Sequence, residues 1–180
     1  MREVDPRTRV GRRVFLRSTA TAVPAAAMGM TIGAEELWAQ TATTLKPHTM
    51  ATLARVARDI YPHDRLADSF YIKAVAGYDG MAAKDPKLAA MIEDGVGALD
   101  AAAQKSQKST YMTVAWEKDR VAILAGTEKS ALFQKLRGDL VVTLYNQPEV
   151  WAKFGYEGSS ADKGGYINRG FSDIDWLPIA

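Results

Sequence analysis

Leu132, Leu136, Leu140 and Leu144 fall in one row at four-residue steps, with Phe133 alongside. Residues four apart share a helix face, whereas strand residues alternate every two. This row predicts a helix within Glu128 to Tyr145, expected to be the longest core helix. Val141-Val142-Thr143 has strand-like composition, but its neighbours neither alternate nor offer a pairing partner, so the helical reading is kept.

The same period recurs upstream. Met50, Leu53, Ala54, Ala57, Ile60 and Tyr61 trace one face of a helix from about Thr49 to Tyr61, with Arg55, Arg58 and Asp59 off that face. Pro62 stops it and a loop to about Ala67 follows. A second helix is expected from Asp68 or Ser69 as N-cap, carrying Tyr71, Val75, Tyr78 and Met81 inward and weakening near Gly80. A third opens at Asp85-Pro86, with the stripe Leu88, Met91, Ile92, Val96, Leu99 and Ala103. Within it, Gly95 and Gly97 either permit close helix packing or are merely tolerated. Gln104 to Thr110 reads as a polar loop, Trp116 to Ala125 as a helix ended by Gly126-Thr127, and Pro148 to Phe154 as a short helix closed by Gly155. The expected fold is all-α, a compact multi-helix domain over residues 40–154.

Both ends of the chain are of a different kind. Gly11-Arg12-Arg13-Val14-Phe15-Leu16-Arg17 precedes an alanine-rich stretch from Ser18 to Ile32 and a polar break around Leu37-Trp38-Ala39-Gln40. A basic start, a short apolar segment and a small-residue cleavage point make residues 1–39 read as a twin-arginine export leader, with Arg12, Arg13, Phe15 and Leu16 as the signal. The alternative is an amphipathic helix with a chance arginine pair. Ser18 to Ile32 is shorter than the roughly 20 apolar residues of a membrane span, and Pro24 interrupts it.

Up to Ala39 six basic residues face four acidic ones, which is the whole formal excess of +2. The remainder is balanced at 17 of each, so nothing in its charge suggests nucleic acid. At about 140 residues it is large enough for a single core.

The chain has no cysteine, which removes disulfides, thiolate nucleophiles, cysteine-ligated clusters and covalently attached c-type haem from it. Its two histidines, His48 and His63, lack the paired spacing of a zinc site. His48 is expected to help start the first helix. His63, in Tyr61-Pro62-His63-Asp64, is either a structural turn residue or a general base oriented by Asp64 or Asp68 in a small hydrolase or lyase.

From Gly155 to Ala180, five glycines interleave with Tyr156, Tyr166, Phe171 and Trp176 and neither period holds. Gly164-Gly165 lacks the spacing and preceding strand of a phosphate loop and reads as a turn. So aromatic a segment is either wrapped over its own core or a partner-contact tail.

Several of these residues form recognisable runs. Pro148-Glu149-Val150-Trp151, Gly155-Tyr156-Glu157-Gly158, Lys163-Gly164-Gly165-Tyr166-Ile167-Asn168-Arg169-Gly170-Phe171, Asp173-Ile174-Asp175-Trp176-Leu177-Pro178 and the helix from Thr52 to Pro62 together resemble the gluconate 2-dehydrogenase subunit 3 family. The middle, Ala67 to Thr127, is only generically helical.

The resemblance implies a periplasmic accessory subunit without catalytic, cofactor-binding or metal residues of its own. It would bind a large glucose–methanol–choline-type dehydrogenase subunit that holds FAD and oxidises a sugar or glycoside. The small subunit would supply the leader read by the twin-arginine translocase and support folding of its partner, with a cytochrome c as electron acceptor. Tyr166, Asn168, Arg169, Phe171 and Trp176 are the partner contacts it suggests. Freestanding periplasmic binding or structural roles are the alternative.

Overall fold

The computed structural model describes residues 38–167. The leader, with Arg12, Arg13, Phe15 and Leu16, lies outside the described residues, as do Asn168, Arg169, Phe171 and Trp176. The fold is all-α, with no strand among the described residues.

Helix α1, Pro47–Ile60, is the centre of the packing. It contacts four others: α2 (Asp68–Val75), α4 (Pro86–Gln107), α5 (Glu117–Gly126) and α6 (Ala131–Thr143). Such a position buries most of its circumference, and Thr49, Met50, Ala51, Thr52, Leu53, Ala54, Val56, Ala57 and Asp59 are all buried. The one-sided amphipathic helix expected from the sequence is therefore a core helix, and Asp59 lies inside rather than off the buried face. Pro47 starts it two residues earlier than expected, at a position where the missing N–H costs nothing.

The second expected helix is two. After α2 one turn residue, Ala76, with helical φ −56° and ψ −31°, leads into α3, Gly77–Lys84, so the break comes ahead of Gly80 rather than near it. Ala67 is the N-cap position and Asp68 already lies in the first turn. Tyr71, Val75 and Tyr78 point inward as expected, but Met81 is 41% exposed and Ala82 fills the inward position. Tyr71, Val75, Tyr78 and Ala82 follow one helical row across the break, and Met81 lies beside that row.

Helix α4, at 22 residues, is the longest of the described helices, displacing the Leu132 helix from that role. Asp85 caps it as expected, its side chain accepting from the amides of Lys87 (2.9 Å) and Leu88 (3.3 Å). It runs through Gln104–Gln107, read from sequence as loop. Gln, Lys and Ser tolerate a solvated helix face well, and the turn comes only where Lys108 adopts φ 55° and donates its amide to the Gln104 carbonyl. Ile92, Val96, Leu99 and Ala103 supply its buried stripe, flanked by the half-buried Leu88 and Met91.

Ser130, not Glu128, opens α6, its hydroxyl accepting from the Phe133 amide at 3.2 Å. Leu132, Leu136, Leu140 and Leu144 are all buried, each worth about 1.5–3 kcal/mol relative to exposure. Here α6 lies so close to α4 that a Cβ on Gly95 would stand 2.6 Å from the Cβ of Leu132. Gly97 has nothing near it and belongs to the tolerated class. Helix α7, Pro148–Phe154, ends at Gly155 with φ 74°, as its Pro and Gly predict.

Candidate functional site

Three clusters of polar or aromatic side chains stand out. The first is internal. Asp59 on α1 accepts from Arg120 Nε at 2.7 Å and Nη2 at 2.9 Å and from the Tyr111 hydroxyl at 2.7 Å, while Arg120 Nη1 donates to the Val114 carbonyl at 3.0 Å. Burial and the facing Asp59 carboxylate push the Tyr111 phenol far up, and the hydrogen bond to Asp59 raises Arg120 despite its burial. The triad pins α1 to α5 and to the 3₁₀ turn Tyr111–Thr113. Its job is structural, and sequence reasoning missed it because its members are separated by up to 61 positions.

The second cluster secures the segment ahead of α1. Asp79 on α3 accepts from the amides of Thr43 (3.0 Å), Thr44 (2.9 Å) and Leu45 (2.8 Å) and from the Thr43 hydroxyl (3.1 Å). Glu93 on α4 accepts from the Lys46 amide at 2.9 Å and the Thr49 hydroxyl at 3.0 Å, and pairs with Lys46 Nζ at 3.0 Å. Desolvation by itself would raise the Asp79 carboxyl, but the donors of Leu45, Thr43 and Thr44 outweigh it and hold it down at about 2. Glu93 is lowered in the same way: partial burial opposes, while the Lys46 amide and ammonium and the Thr49 hydroxyl prevail. His48 joins this side, its Nε2 lying 2.6 Å from Asp100 Oδ2; its ring reaches α4 rather than capping α1.

The third cluster faces outward. His63 Nε2 lies 2.7 Å from the Tyr145 hydroxyl, and its ring meets the edges of Tyr145 and Phe154 at 5.6 and 5.0 Å. Tyr61 packs edge-on against Tyr145 at 5.6 Å and donates its hydroxyl to the Arg137 carbonyl at 3.1 Å. Trp151 donates Nε1 to the Tyr145 carbonyl at 2.6 Å and carries Tyr156 edge-on at 5.5 Å. Burial, then the neighbouring Tyr61, raise the Tyr145 phenol.

Val141 and Val142, one helical turn before Tyr145, extend this surface into solvent. Among the described residues, six of the nine exposed large hydrophobic side chains belong to residues 141–167: Val141, Val142, Phe154, Tyr156, Tyr166 and Ile167. Apolar exposure among the described residues is thus concentrated toward the carboxyl-terminal end of the chain.

His63 is thereby engaged with aromatic rings, and Asp68, one of its two expected acidic partners, pairs with Arg58 at 2.9 Å. Tyr166 is 67% exposed, so of the suggested partner contacts it is the one whose placement is described, and it stands free of the core. Gly164 and Gly165 take φ of 82° and 72° next to a 3₁₀ turn at Ala161–Lys163, consistent with the turn read there. The sequence pattern places Val141 and Val142 on a helix, off the Leu132 row, and the structure leaves both exposed.

Among the described residues, no group of three or more His, Asp or Glu side chains is placed to hold a metal, and no helix is long and apolar enough to cross a membrane. Comparison with known proteins gave no matching family model, no matching curated protein and no matching solved structure.

Proposed function

We propose that this chain is the non-catalytic small subunit of an exported FAD-dependent sugar or glycoside dehydrogenase. Its helical body docks on a large glucose–methanol–choline-type subunit that holds the flavin, and its leader takes the folded pair through the twin-arginine translocase to the periplasm. A cytochrome c then accepts the electrons.

The observation that carries this reading is the concentration of exposed Val141, Val142, Phe154, Tyr156, Tyr166 and Ile167 on one stretch of chain. Large apolar and aromatic side chains left in water are stabilised by a partner that covers them. The conspicuous buried polar groups point the same way, since Asp59, Tyr111 and Arg120 are spent on holding helices together. The run Lys163 to Phe171, which follows these residues in sequence, is one of the runs that carry the family resemblance.

Affinity purification of the native protein tests the proposal. A second, larger band with a visible flavin spectrum is expected, and deletion of residues 155–180 should abolish its recovery. Purification of the chain by itself from its native host would overturn the reading, and unchanged recovery after the deletion would remove the tail from the interface.

A further inference from the structure

Ala39 ends the small-residue stretch that the sequence offers for leader cleavage, yet it is only 1% exposed and shares the apolar core with Met50 and Leu53. Trp38 packs against the same core. The carbonyls of Trp38 and Ala39 accept from the amides of Thr41 (2.9 Å) and Ala42 (3.1 Å), and the Thr41 hydroxyl also donates to Trp38 at 2.8 Å. The amides of residues 43–46 are then taken by Asp79 and Glu93, and Leu45 is buried between them. Apart from the exposed Gln40, the stretch 38–46 is held by side-chain packing or by backbone hydrogen bonds.

A peptidase takes its substrate as an extended strand, and susceptibility follows the burial and hydrogen bonding of the backbone to be cut. Cutting between Ala39 and Gln40 would require withdrawing Ala39 from the core and opening the Trp38–Thr41 turn. A chain that folds before it is exported presents the peptidase with this packed arrangement. We infer that the bond between Ala39 and Gln40 is not the processing site and that the exported protein keeps Trp38 and Ala39. The inference rests on the export reading above, and the part of it that concerns folding can be tested separately.

Two measurements decide it. Intact mass of the protein from the periplasmic fraction should show Trp38 retained; a mature terminus at Gln40 or later overturns the inference. Elastase, which cuts after small residues, is applied to the purified full-length chain. In native buffer, cutting after Ala39 or Ala42 should be about 100-fold slower than in denaturant, because it must await opening of the body. A native product beginning at Gln40 or Thr43 at comparable rate overturns the claim that 38–46 belongs to the body. Absence from the periplasm would sink the export reading while leaving the elastase result decisive for the folded segment. Ala39→Asp separates the alternatives once more: a lower Tm with unchanged mature length supports the inference, and accumulated precursor with unchanged Tm overturns it.

Discussion

Arg120 on α5 grips both carboxylate oxygens of Asp59 on α1, with Nε to Oδ2 at 2.7 Å and Nη2 to Oδ1 at 2.9 Å, inside the protein. Bidentate geometry and the added Tyr111 hydroxyl offset the desolvation of both charges. Removing one partner leaves the other charged and buried. Arg120→Ala is expected to cost about 3–5 kcal/mol in denaturant unfolding. Replacing the set together, as Asp59→Leu, Tyr111→Phe and Arg120→Met, should recover most of that loss; a triple variant as unstable as the single one would contradict this account.

Gly95 and Gly97 differ by two positions on α4 and should respond oppositely to alanine. At Gly95 the new methyl meets Leu132 Cβ at 2.6 Å and Cδ2 at 2.7 Å, so α4 and α6 must separate or Leu132 must change rotamer. About 1–3 kcal/mol of destabilisation is expected, less the roughly 1 kcal/mol that alanine gains in a helix. Gly97 has open space and shows only the gain. Equal Tm changes for the two variants would mean that the close contact is not made in solution.

Those two glycines also mark where sequence reasoning stops. Helix boundaries set by local chemistry were legible: Asp85-Pro86 opens α4 and Pro148 with Gly155 brackets α7. The leucine row of α6 named its buried face correctly. The burial of α1 on nearly all sides was not legible, because Thr49, Thr52 and Asp59 look solvent-facing until their partners are known. Thr52 is satisfied within its own helix, donating to the His48 carbonyl at 2.8 Å, whereas Thr49 and Asp59 depend on Glu93 and Arg120 from distant elements. Of the candidate contact surface, Tyr156 and Tyr166 stand out by composition, whereas Val141 and Val142, strand-like in composition and off the leucine row, are recognised as surface only through their exposure.

Stability should fall in acid through Asp79. Its carboxyl is held at about 2 in the folded chain, below the value near 4 expected of an unfolded aspartate. The unfolded state therefore takes up its proton first as pH falls. The contribution is complete above about pH 4 and is lost progressively as pH drops toward 2. Glu93, also lowered, adds in the same direction. In Asp79→Asn the Tm should be lower at neutral pH and decline less between pH 4 and 2 than in the parent; an unaltered decline would show that the clamp on Thr43, Thr44 and Leu45 does not titrate as described.

Val141 and Val142 offer the sharpest separation of folding from docking. Both lie on the solvent side of α6, while its buried row is made by Leu132, Leu136 and Leu140. Lysine at either position retains good helix propensity and removes no core contact, so Val141→Lys with Val142→Lys should change unfolding free energy by no more than about 0.5 kcal/mol. At an interface the same pair places two charges against apolar surface and should weaken association by about 100-fold or more. The expected result is a normally folded chain, by circular dichroism and Tm, that no longer retains the proposed flavoprotein partner. Retention at parental yield would move the interface off α6, and the tail from Gly155 onward would then have to carry it by itself.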